Sequence, residues 1–196
     1  MSFRGILVNG AGLVLASGLG VGLLAAGKPG PGSDAVPPEV VADYIHAVIE
    51  ADRAVYTRHV VDRLQTKGVL AASEHWEVQN TLLLPAQFLN EAARLVAKKE
   101  NGIRYRLVSL WPVSERNGPA TDFERIGLQA VLKTPTKTFT GYIESGPRRF
   151  FQAVYPDIAV SQACIGCHNT HPNSPRRDFK MNDVMGGIVI TIPVGR

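Results

Sequence analysis

Apolar residues recur at helical spacing from Pro38 to Lys67, with Pro38 suited to a first turn and Gly68 as a stop. A second helix is predicted from near Pro85 to before Asn101-Gly102. Thr121-Asp122-Phe123-Glu124 has the form of a capping box and opens a third helix that runs to about Lys133. Alternation of apolar and polar positions predicts strands at Ile103 to Val113, Lys137 to Glu144, Arg148 to Tyr155 and Gly187 to Val194. Glu144-Ser145-Gly146-Pro147 reads as a hairpin turn. Helices first and strands later give an α+β domain, an antiparallel sheet with helices packed on it.

One stretch has no polar period. Residues 5–27 carry no charge and come after the short cationic start Met1-Ser2-Phe3-Arg4. The segment reads as either a secretory signal peptide, with Ala25-Ala26-Gly27 suited to cleavage, or an N-terminal hydrophobic helix that anchors the chain in a membrane. Either reading exports the rest of the chain, to the periplasm or to the periplasmic side of the inner membrane. Residues 28–38 are a Gly/Pro linker and residues 39–196 the folded domain.

Composition narrows the function. Lys plus Arg is 21 and Asp plus Glu is 17, with the excess spread along the chain, so no basic arm points to nucleic acid. The two cysteines, Cys164 and Cys167, are too few for a disulfide framework or a four-cysteine zinc site. They fall in Cys164-Ile165-Gly166-Cys167-His168, the c-type haem attachment sequence. Two thiols at this spacing reach the two vinyl groups on one porphyrin edge, and the next residue places its imidazole under the iron. A thioredoxin-like pair leaves the histidine unexplained and lacks a βαβ surround. Small cytochromes carry the motif near the start, and the four-helix type has no strands, so neither architecture fits. No catalytic constellation is legible, and the chain is expected not to be an enzyme.

The segments Val55-Tyr56-Thr57, Leu84-Pro85-Ala86-Gln87-Phe88, Ser109-Leu110-Trp111-Pro112, Asn117-Gly118-Pro119 and the run Ala163 to Val194 resemble a bacterial and cyanobacterial family. Its members are single-haem c-type proteins with a PAS-like fold, once labelled a domain of unknown function. They occur free or as sensor regions of kinases and chemoreceptors. The resemblance covers about residues 40 to 194 and implies a PAS-like antiparallel sheet flanked by helices. It also implies one covalent haem, with a second axial ligand delivered from the long first helix.

Helical geometry ranks candidates for that ligand. With Val41 at zero and 100° per residue, Ile45, Val48, Val55 and Tyr56 fall within about 60°, His59 lies mid-stripe, and His46 lies about 140° away. His59 is therefore expected to be the distal ligand, with Tyr56 as a phenolate alternative or a packing residue. Asp52 and Arg63 share the stripe and are expected to hold a propionate, to orient the His ring or to pair with each other. His171 is tethered too closely to His168 to cross the haem and is expected to bond a propionate or the loop. His75 reads as surface, Met181 as a weaker ligand candidate, and Met185 as turn packing. Two function classes stay open: one-electron transfer to a redox partner protein or within a membrane complex, and redox or gas sensing.

Overall fold

In the computed structural model, which describes residues 35–195, two long strands set the architecture. The expectations for residues 1–34 lie outside the described residues. Strands β3 (Arg148–Ile158) and β4 (Val184–Pro193) are buried on both faces over most of their length. They form the middle of a four-stranded sheet of order β1-β4-β3-β2, antiparallel throughout. The edge strands β1 (Arg104–Val108) and β2 (Phe139–Ser145) are more exposed. This division comes from pleating: a central strand covered on both sides must be apolar at successive positions.

Each face has its own core. On one, Phe151, Ala153, Tyr155, Ile188 and Ile190 pack against Ala42 and Ile49 of helix α1 (Pro38–Val55) and Leu89 of α4 (Pro85–Ala97). On the other, Val154, Val184 and Val189 meet Leu128 and Val131 of α5 (Asp122–Lys133). Gly127 lets α5 approach closely, since a Cβ there would stand 2.6 Å from Val154 Cγ2. The expected cap is present: Thr121 Oγ1 accepts from the Glu124 N–H at 3.2 Å, and Glu124 reaches back to the Ala120 N–H at 2.6 Å.

The first helix starts at Pro38 as expected and continues to Thr66, where Gly68 at φ +64° ends it. Its middle is not regular. Residues Tyr56–Asp62 form a π-helical segment before the short α2 (Arg63–Thr66). A one-turn helix α3 (Trp76–Gln79) comes next, ended by Asn80 in the left-handed region at φ 52°. Among the described residues, no helix is long and apolar enough to cross a membrane.

One irregularity bears on the site. Asp157 of β3 pairs with Gly186 and Ile158 pairs with Val184, so Met185 is an extra residue in β4. Its carbonyl leaves the ladder and accepts from Ser109 Oγ at 2.6 Å. This bulge lies just before the chain turns from β3 into helix α6 (Gln162–Thr170).

Candidate functional site

The two cysteines and His168 all lie on α6. Ser161 caps it, accepting from the Ala163 N–H at 3.0 Å and donating to Asp62 Oδ1 at 2.8 Å. The start of α6 is thereby tied to the last residue of the π segment. Ile165 turns inward to a small third core with Ala159, Phe179, Met185 and Trp111. Gln162, Gly166 and Thr170 face outward and are exposed, so α6 is a surface helix with one anchored side.

Cys164 and Cys167 are free thiols and half-buried. Burial, with Glu74 and then Cys164 nearby, pushes the Cys167 thiol up from its ordinary value. His168 is half-buried with its Nδ1 fully enclosed and without a hydrogen-bond partner. Burial pulls its pKa down, helped by His171 and Arg53, so the imidazole is held neutral, the form that binds metals. The ring stands edge-on to Phe179 at 5.6 Å. Phe179 is itself fixed by Asn169 of α6, which donates to its carbonyl at 2.9 Å and accepts from its N–H at 3.0 Å. Arg176 covers Phe179 and Trp111 at 4.3 and 4.6 Å. Trp111 of the Ser109-Leu110-Trp111-Pro112 segment is in this way brought against the segment after the motif.

A buried arginine stands beside the first thiol. Arg53 is 9% exposed, forms an ion pair with Asp157, and stands near enough to Cys164 to feel its charge. Burial lowers its pKa, against the raising pull of Cys164 and Glu50. Arg53 also lines a cleft of about 340 Å³ between α1 and the end of β3, together with His46, Glu50, Arg58 and Asp157. Hydrophobic periodicity missed Arg53; the signal available was its spacing of four from Ile49 and Thr57 on the face that packs inward.

That face corrects the expected stripe. The inward residues of the first helix are Ala42, Ile49, Arg53, Thr57 and Val61, while Val48 and Val55 are 60% and 57% exposed. His59 is exposed, as are Asp52 and Arg63. The expected stripe tracks apolar residues, but the inward face is the one whose side chains fit the sheet, and it includes an arginine and a threonine. His46 is not on the polar side: it stacks on Tyr155 at 3.9 Å, and its Nε2 is buried without a partner. Tyr56 stacks on Phe88 at 4.5 Å and donates its hydroxyl to the Leu83 carbonyl at 2.9 Å. His171 accepts from the Asn173 N–H at 3.1 Å through Nδ1, which leaves Nε2 facing Glu74 at 3.4 Å. His75 meets the other oxygen of Glu74 at 3.3 Å. Met181 is exposed and Met185 is packed in the third core.

The residues present fit a covalently held haem. Among the described residues, no three His, Cys, Asp or Glu converge on a point that could hold a bare metal ion. The thiols and imidazole are instead spread along one helix, as donors to separate points of a large planar group. The neutral imidazole of His168 would hold the iron, the two thiols would hold the porphyrin edge, and Arg53 and Arg58 are cations on hand for its carboxylates.

A family model described as Tll0287-like matches residues 39–193. The crystal structure of the cyanobacterial haem protein Tll0287 superposes with a TM-score of 0.50, covering 81% of this chain and 97% of that one. The two are 16% identical, so the likeness speaks for the fold alone. No similar protein was found among curated proteins.

Proposed function

The chain belongs to the Tll0287-like family, and from that premise we propose that it is a haem protein that carries one covalent c-type haem and passes single electrons. The observation that carries the reading is α6: two free, half-buried thiols and a neutral imidazole on one nine-residue helix. In the attachment, each thiol S–H adds across one vinyl C=C. Sulfur bonds to one carbon and the hydrogen goes to the other, so no oxidant is consumed. Bound haem supplies a one-electron iron couple. The protein's part is to hold the His168 ring against Phe179, keep water from its buried side, and fix the porphyrin edge at Cys164 and Cys167.

We read the fold as PAS-like, and the electron partner as a redox protein or a membrane complex on the periplasmic side. Residues 5–27 direct export or hold the chain to the membrane. The outward side of α6, with Gln162, Gly166 and Thr170 exposed, supports transfer to a docked partner, because no described residue covers it. Sensing stays the second class and has no structural observation of its own in its favour.

The test is the intact mass and spectrum of holoprotein made with haem-attachment machinery. One haem should add to the polypeptide and survive denaturation. Cys164→Ala with Cys167→Ala should release it, and His168→Ala should leave it attached but high-spin. A protein with no added mass sinks the reading. Closed, low-spin iron that refuses carbon monoxide supports the carrier, and ready carbon monoxide binding would favour a sensor.

A further inference from the structure

Helix α1 is apolar on two faces. Ala42, Ile49 and Arg53 turn to the sheet. Val41, Tyr44, Val48, Ala51 and Val55 form a second stripe centred about 140° away. Its outer part is bare: Tyr44, Val48 and Val55 are 67%, 60% and 57% exposed, and Ala51 is exposed too. A solvent-facing helix side ordinarily carries charges. Here the flanking positions Ile45, Ala47, Asp52 and Ala54 hold a single one.

The spacing of this stripe is three, four, three, four, the repeat of a coiled coil. In that frame Val41, Val48 and Val55 take the a positions and Tyr44 and Ala51 the d positions, with Val41 half-buried and also packed against the sheet core. We propose that the stripe is the seam of a parallel two-stranded coiled coil with α1 of a second copy of this chain. Four observations choose this occupant. The narrow ridge fits another helix better than a flat surface. β-Branched valine at every a position is the a-position half of the pattern that favours two parallel strands. The near absence of charge at the flanks means that a symmetric copy meets no like-charge repulsion. The uncharged segment 5–27 ends eleven positions before Pro38, so two copies anchored in one membrane would both enter α1 from the membrane side, which favours a parallel pair.

The seam is bounded. It ends at Val55 because the π segment from Tyr56 changes the residues per turn and breaks the repeat. Five seam side chains per copy cover less than the roughly 1,200 Å² of a stable interface. The pair therefore depends on confinement to a surface, which raises the effective concentration of each helix. The seam is independent of the haem reading and leans only on the anchoring of residues 5–27.

The test uses full-length holoprotein in membranes. Val48→Cys and Val55→Cys sit at a positions, where Cα atoms of a pair approach within disulfide range. Glu50→Cys is off the seam, and the parent chain gives the background from Cys164 and Cys167. Under mild oxidant the two seam variants should form dimers about tenfold faster than Glu50→Cys. Val48→Glu, at an exposed position, should leave the spectrum and fold intact and abolish cross-linking through Val55→Cys. Equal rates on and off the seam overturn the proposal, and so does a Val55→Cys dimer that survives Val48→Glu. A monomer whose Val48→Cys thiol is shielded from maleimide until residues 1–34 are removed also overturns it, by assigning the face to the chain's own N-terminus.

Discussion

Arg53 and Asp157 form an ion pair almost out of water, and removing one partner leaves the other charge stranded. Breaking such a pair costs about 3–5 kcal/mol, whereas replacing both partners with apolar residues is often close to neutral. Arg53→Met is therefore expected to lower unfolding stability by about that amount, and adding Asp157→Leu to restore most of it. Urea denaturation of the two variants beside the parent checks this. A double variant as unstable as the single one would mean that the Cys164 contact, and not the stranded carboxylate, carries the cost. At this scale the sequence is legible where chemistry and spacing coincide. Cys164, Cys167 and His168 stand out because three functional side chains share one short run. Arg53 and His46 do not stand out, because a buried polar residue announces itself only through the partner it meets. Those partners, Asp157 and Tyr155, lie more than a hundred residues away in the chain. His59 shows the reverse error: its apolar stripe suggests an inward face, and the sheet packs against the other side.

Among the elements, α5 is legible nearly to the residue, since its cap and its amphipathic face agree. Its contact with the sheet rests on Gly127. Alanine there would gain about 1 kcal/mol of helix propensity. The same methyl would stand 2.6 Å from Val154 and 2.9 Å from Phe139. Overpacking of this kind costs about 1–3 kcal/mol, so the loss is expected to win and the melting temperature to fall. Val154→Ala should be destabilising alone yet relieve Gly127→Ala, and a double-mutant thermal cycle shows whether the two couple. If Gly127→Ala raises the melting temperature, the helix lies farther from the sheet than described. The π segment is not legible. Its residues suit an α-helix, and what surrounds them is tertiary: Tyr56 bonded to Leu83, Thr57 buried, and Asp62 bonded to Ser161. Helix α6 is hidden for a different reason: its apolar side is weakly marked, with a glycine and two cysteines over nine residues.

For the whole molecule, the expected antiparallel sheet with helices on it is present, and family membership is readable from segments that the fold pairs: Tyr56 with Phe88, and Trp111 with Phe179. What composition cannot supply is the division into two cores and a third small one. That division depends on which helix covers which face. It also sets the acid response. Burial lowers the His46 pKa below 6.5 in the fold, with Glu50 and Asp43 pulling the other way. The folded state therefore prefers the neutral ring. Its contribution is complete above about pH 6.5 and is lost as pH falls through the depressed folded value. His46→Phe keeps a flat ring on Tyr155 and cannot take a proton. Between pH 7.5 and pH 5 the variant should lose less stability than the parent in paired urea titrations. Parallel losses would place the acid response elsewhere, His168 first.

The extra residue in β4 acts as a change of phase. Upstream of Met185 the side-chain alternation is the reverse of what the downstream strand would impose, and this returns Val184 to the α5 face beside Val189. The same step drops Met185 beneath α6 and hands its carbonyl to Ser109. Gly186 completes the step, since a Cβ there would fall 2.3 Å from the Val108 carbonyl oxygen. Length and identity thus matter unequally along this chain. Deleting Met185 would leave a regular ladder with Val184 still on the α5 face, but would withdraw both the side chain that packs beneath Cys164 and the carbonyl that Ser109 meets, whereas exchanging the Met185 side chain leaves that carbonyl in place.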